Sequence, residues 1–240
     1  MAAKAATVAA PLRASGAQAE VPRDARRAYR TNDPARTMAG ILEVATHEFA
    51  EKGLSGARID EIAAATRTSK RMIYYYFGSK EQLYVRVLEE SYRRMRTIES
   101  ALRLDDLEPL EALRRLVVFT FDHHQRNQDY IRLVMAENIE RGTYLKQSRN
   151  IRQLNGSAIE AVSGVYARGV ASGLFRPGLD PIDIHASISA LTFFNVSNQH
   201  TFGMIFRRDT QAPQALRARR DSVVEMVLRF VCASCPIAGE

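Results

Sequence analysis

Residues 68–80 read TSKRMIYYYFGSK. These thirteen positions hold a hydroxyl pair, three bases, three consecutive tyrosines and a glycine. A helix buried on all sides would not gather Lys70, Arg71, Tyr74, Tyr75, Tyr76 and Lys80, whose cationic heads and hydroxyls need polar partners. The stretch predicts a helix over Ser69–Phe77. A helix that opens on Ser69, Lys70 and Arg71 suits a DNA groove. Its start offers free backbone amides to phosphate, and its bases reach groove edges.

The residues upstream complete the device. Met38, Ile41, Leu42, Ala45 and Phe49 recur at helical spacing and make an apolar stripe. Gly53 follows Lys52 and predicts a helix stop. Ile59, Ile62 and Ala63 mark a short second helix from Arg58 to about Ala65, and the turn Thr66–Thr68 leads into the third. Two short helices joined by a tight turn, the second basic and aromatic, form a helix-turn-helix pattern. Ser79 and Gln82 have capping-box spacing and open a fourth helix.

On these residues the chain resembles the N-terminal DNA-binding domain of the TetR/AcrR family of bacterial repressors, over residues 36–83. Ile41-Leu42, Ala45, Phe49, Gly53, Ile62-Ala63, Ser69, Tyr74, Phe77, Lys80 and Leu83 match in order and without a gap. Two positions depart. Arg67 stands in the turn where members usually have Gly, and Ala57 stands where they often have Thr or Ser. An Arg with positive φ is strained, so either the turn differs here or Arg67 reaches a phosphate. The resemblance implies that Lys70, Arg71 and Met72 face base edges. It implies that Ser69, Tyr74, Tyr76 and Lys80 hold phosphates with help from Arg58 and Tyr75, and that Ile73 and Phe77 are core.

Composition fits a soluble globular protein: 240 residues, 46% hydrophobic, 25% charged, net charge +7. No apolar run approaches a membrane span, and the alanine-rich start lacks the pattern of a secretory signal, so a cytoplasmic protein is expected. Residues 1–30 hold six bases against Glu20 and Asp24, +4 of the +7. Residues 1–33 are expected to be a disordered basic tail. Met1–Glu20 read as a solvated leader, and Arg23–Arg30 read equally as leader or as a DNA-binding arm. Cys232 and Cys235 form a C-x-x-C with no second Cys/His pair nearby in sequence. Two reduced thiols, not a zinc site, are the expectation.

The remaining segments all predict helices: Ser79–Arg103, Pro109–Arg126, Tyr130–Arg141, Arg149–Ser172, Pro181–Arg207 and Pro213–Cys232. The expected fold is therefore all-α, with a three-helix DNA-binding domain at 34–80. A helical domain for effector binding and dimerisation follows at 81–235. The last two long helices are apolar on more than one face and need partners on two sides. A homodimer supplies the second partner, and a two-fold dimer doubles the base contacts on a palindrome. Leu191 and Val227 are the candidate interface residues.

Polar residues on otherwise apolar helices, with aromatic neighbours as walls, mark candidate effector contacts: Phe121, His124, Asn138, Arg141, Phe194, Asn195 and Asn198. Aromatic walls with a few polar groups suit a small, flat, polar ligand, whereas each polar group alone is as well explained by bonds to its neighbours. The segments ENIERGTYL and RPGLDPIDIHASISALTFFNVSNQHTF resemble a TetR branch that includes repressors of pyrimidine and nicotinate breakdown, a likeness that carries no ligand type. The resulting expectation is a DNA-binding repressor released by a small molecule, with no metal and no cofactor. Two other classes stand beside it: a nucleoid-type binder without effector, and a helical enzyme using His123 and His124. No H-E-x-x-H, G-x-G-x-x-G, P-loop or G-x-S-x-G supports the last.

Overall fold

The computed structural model describes residues 33–234, so the basic tail and Cys235 lie outside the described residues. Within them run α1 (Pro34–Gly56), α2 (Ile59–Ala65), α3 (Lys70–Phe77), α4 (Lys80–Ser100) and α5 (Pro109–Arg126). After these come α6 (Gln128–Ile139), α7 (Arg149–Ala171), α8 (Pro181–Ser197), α9 (Gln199–Phe206) and α10 (Pro213–Val231). Among the described residues there is no strand, only one isolated bridge between Phe175 and Cys232. A first compact unit ends at Thr37; in it the Asp33 carboxylate accepts the Ala35 amide at 3.0 Å. Everything below concerns the second unit, from Met38 onward.

The head is set by local chemistry. Gly53 breaks α1 with φ 65° and ψ 175°, a conformation cheap only for glycine. The missing Ser or Thr at the start of α2 is replaced from a distance. Arg58 caps that helix without a side-chain bond of its own, and the Glu48 carboxylate accepts the Arg58 amide at 3.0 Å. Burial pushes the Glu48 carboxyl up, but the Arg58 amide and the Lys52 ammonium outweigh it and leave it below its ordinary value. Arg67 keeps the left-handed turn, with φ 53°, so the backbone is the one glycine would adopt. Such a conformation costs a non-glycine residue about 1–2 kcal/mol. Ser69 Oγ accepts the Met72 amide at 3.2 Å and Ser79 Oγ accepts the Gln82 amide at 3.1 Å. Each starts its helix as an N-cap.

The head core holds Ile41, Ala45, Phe49, Ile62, Ile73 and Phe77, and it continues through Leu83, Tyr84, Val87 and Leu88 of α4 to Leu133 of α6 and Ile151 of α7. The expected domain boundary after residue 80 thus crosses a continuous core, and α4 belongs to both parts. The body core joins α5, α7, α8 and α10 through Leu116, Phe121, Val165, Ile188, Val227 and neighbours. Gly169 leaves room for the Phe175 ring, since a Cβ there would lie 2.0 Å from the ring.

The structure corrects several sequence expectations. The helix predicted over Pro181–Arg207 is two helices that meet at Asn198, where φ is −110° and ψ 7°. Ile184, Ile188, Thr192 and Val196 of α8 form an inward stripe. No residue of α9 is buried, so beyond Asn198 no core contact holds the earlier direction. The predicted Tyr130–Arg141 helix begins at Gln128 and ends at Ile139, because Arg141 and Gly142 have positive φ. Val227 is 1% exposed and packs inside its own chain. Leu191 also packs on the body core. Periodicity places neither on a face, and the outward positions are instead Phe194, Met226 and the apolar residues of α9.

Candidate functional site

The reading face is α3 with its flanks. Lys70, Arg71, Tyr74 and Tyr75 are exposed, whereas Met72, Tyr76 and Lys80 are half-buried and Ile73 and Phe77 are buried. Seven of the nine candidate positions thus lie on α3 or its N-cap Ser69, with Lys80 the first residue of α4 and Arg58 the N-cap of α2. Three of the bases have partners within the chain. The Lys70 ammonium pairs with Asp60 of α2. Lys80 Nζ donates to the Ser55 carbonyl at 3.3 Å, and Arg58 lies 3.8 Å from Asp60. Ser69 Oγ is occupied as the N-cap. A phosphate at these positions would have to exchange with Asp60 and with the Ser55 carbonyl. Tyr75, 78% exposed, packs edge-on against Tyr76 with centroids 5.4 Å apart.

The effector candidates separate into three places. Asn138 lies exposed in the last turn of α6 and Arg141 exposed on the turn after it, and Asn138 Nδ2 donates to the Val134 carbonyl at 2.8 Å. Phe194, Asn195 and Asn198 line a groove of about 630 Å³ between α8, α9 and α10. Phe121 and His124 are buried: Phe121 belongs to the body core, and His124 to a polar interior.

That interior contains residues the sequence reading missed. Arg96 and Glu99 form a buried ion pair on α4. Tyr130 lies beside His124 with rings 28° apart and centroids at 6.1 Å, and Tyr92 meets Tyr130 edge-on at 5.4 Å. Phe193 meets His124 edge-on at 6.0 Å. Burial, then His123, Arg96 and His185, pushes the His124 imidazole down to about 3. Burial and the Arg96 charge also lower His123 and His185. All three rings are neutral near pH 7. Burial raises the Glu99 carboxyl despite Arg96 beside it, and burial raises the Tyr92 and Tyr130 hydroxyls. The signal was present in the sequence: Tyr92, Arg96 and Glu99 continue the inward spacing of Leu88. Buried polar atoms without a partner in this part of the body include Arg96 Nε, His124 Nδ1 and Gln125 Nε2. A cavity of about 670 Å³ opens against His123, Gln125 and Tyr130, with Thr46 and His47 of α1 on its far wall.

Head and body are tied by polar contacts as well as by the shared core. His47 Nδ1 lies 3.2 Å from Asp129 Oδ2, Arg132 pairs with Glu51, and Ser148 Oγ donates to Glu89 at 2.6 Å. His47, Glu51 and Asp129 have ligand-type atoms within 4.8 Å of one another. The Arg132 guanidinium occupies Glu51, so the group acts as an ion-pair contact between α1 and α6.

A capped, exposed basic helix set on a compact three-helix core, followed by a larger helical body, defines a helix-turn-helix regulator. Two family models match: the bacterial regulatory proteins of the tetR family over residues 41–87, and the tetracyclin repressor-like C-terminal domain over residues 109–227. The transcriptional repressor NicS of Pseudomonas putida is 35% identical over 81% of this chain and 92% of its own. A transcriptional regulator of Streptomyces coelicolor superposes with TM-score 0.62 at 26% identity, over 81% of this chain and 98% of that one. AibR, solved with isovaleryl coenzyme A and operator DNA, shares the fold with TM-score 0.60 at 21% identity, over 79% and 97%. The chain belongs to the TetR family and is a DNA-binding transcriptional regulator. No helix among the described residues is long and apolar enough to cross a membrane.

Proposed function

We propose that this regulator is a repressor that binds a palindromic operator as a homodimer and leaves it when a small molecule enters the body. In this reading Lys70, Arg71 and Met72 meet base edges. Tyr74, Tyr76 and Lys80 meet phosphates, with Arg58 and Tyr75 at the margin and the α3 amides at Ser69 serving the phosphate directly. The second copy docks on the apolar band of α8–α10, where Phe194, Met204, Ile205, Phe206 and Met226 are exposed. A soluble chain rarely leaves such a band uncovered.

The observation that carries the switching part is the double membership of α4. Its first half holds Tyr84, Val87 and Leu88 in the head core, and its second half holds the Arg96–Glu99 pair in the polar interior. A ligand that moves the far end of α4 moves the head. Two heads must match groove positions about 34 Å apart or a multiple of it, so a small change in their separation weakens binding. Buried polar atoms without partners favour an effector-responsive protein over a nucleoid-type binder, which has no use for them. Light scattering tests the dimer. Wild type should have twice the chain mass and Met226→Glu the mass of one chain; a stable wild-type monomer would overturn the proposal.

A further inference from the structure

The Arg96 guanidinium is used on one side only. Its Nη1 pairs with Glu99. Its Nη2 has only the Met95 sulfur at 3.9 Å, and its buried Nε has no partner. Nε–H and Nη2–H project from the same edge of the planar group and form the fork that holds a carboxylate through two parallel hydrogen bonds. Leaving a buried donor unpaired costs about 1–3 kcal/mol. The surroundings leave this edge in a positive field. Glu99 is the one carboxylate paired with it, Glu137 accepts the Leu145 amide instead, and the nearby rings of His123, His124 and His185 carry no charge of their own.

We propose that the effector is a small monocarboxylate, gripped by the Nε and Nη2 edge of Arg96, with its apolar remainder among the rings of His124, Tyr130 and Phe193. The inference rests on the reading above that the body binds an effector. His123 and Tyr130 belong both to the wall of the 670 Å³ cavity and to the surroundings of Arg96, so the approach is from that side. The other arginines on the cavity wall, Arg93, Arg94 and Arg126, already pair with Glu90 and Asp122, so a second ligand carboxylate would have to break one of those pairs or stay unpaired, which is costly. This selects monoacids over diacids. The grip lies on the lever itself: a ligand carboxylate on Arg96 competes with Glu99 one helical turn away.

The test is calorimetry on the full-length protein with benzoate and hexanoate, each against its own amide. At least one acid should bind with one site per chain, and its amide should bind at least tenfold more weakly. Arg96→Lys keeps the charge but loses the fork and should weaken that acid at least tenfold. The double variant Arg96→Met with Glu99→Gln leaves no unpaired buried charge and should bind acid and amide alike. Equal binding of acid and amide by wild type would overturn the inference, as would the absence of binding by both acids. The two readings fail separately. If a small-molecule cell extract releases the operator while neither acid binds, the carboxylate inference falls and the repressor stands. If the extract releases nothing, both fall.

Discussion

Replacing His124 by Gln should remove a defined part of the acid sensitivity of this protein. His124 is 3% exposed and its imidazole is pushed down to about 3, first by burial and then by His123, Arg96 and His185. In the unfolded chain it titrates near 6.5. A folded value below the unfolded one means that the unfolded chain binds the proton more readily. The stabilisation is therefore complete above pH 6.5 and is lost as pH falls from there towards 3. Each pH unit in that window costs about 1.4 kcal/mol, so moving from pH 7 to pH 5 should cost about 2 kcal/mol through this ring. The carboxylates and the other four histidines remain in the variant, so the difference between the two proteins isolates His124. Urea unfolding at fixed protein concentration, at pH 7 and pH 5, measures it. Wild type should lose about 2 kcal/mol more than His124→Gln over that interval. Equal losses would refute the claim that the ring is held neutral in the interior.

Other substitutions address the head and the body packing. Lys80→Ala should weaken all DNA about equally and lower the salt slope by about one, whereas Arg71→Ala should lose about 1–3 kcal/mol of discrimination at one base position; salt-titrated binding to specific and scrambled duplexes separates them. Arg67→Gly relieves a left-handed arginine and should leave thermal stability equal to or above wild type, although it removes an exposed base from the turn before α3. Gly169→Ala drives a methyl into the Phe175 ring and should cost about 1–3 kcal/mol in denaturant unfolding.

The head was legible because its signals are local. Caps at Ser69 and Ser79, breaks at Gly53 and Gly78, and the stripe through Ile41, Ala45 and Phe49 each act within a few residues. They appear in the structure where the sequence puts them. At the two departures, Glu48 binds the Arg58 amide at the start of α2 and Arg67 accepts the left-handed turn. The body was legible as helices but not as faces. Val227 and Met226 are neighbours on an apolar helix, and only tertiary packing decides that one is buried and the other outward. The polar interior was missed for the same reason. The spacing from Leu88 turns Arg96 and Glu99 inward, but only α5, α6 and α8 closing over them make a buried pair of two charged residues, while Asn138 and Arg141, expected from sequence as effector contacts, are exposed at the end of α6 and on the turn after it.

The central claim is a two-fold regulator that reads DNA through α3. Its most direct measurement is the stoichiometry and symmetry of the complex, on an operator selected by the protein itself from random duplexes. Sedimentation and footprinting should give two chains per duplex and protection of two half-sites related by a dyad. Met226→Glu should lose most of the affinity although its α3 is untouched. A single chain bound tightly to an asymmetric site, or Met226→Glu binding as well as wild type, would contradict the account.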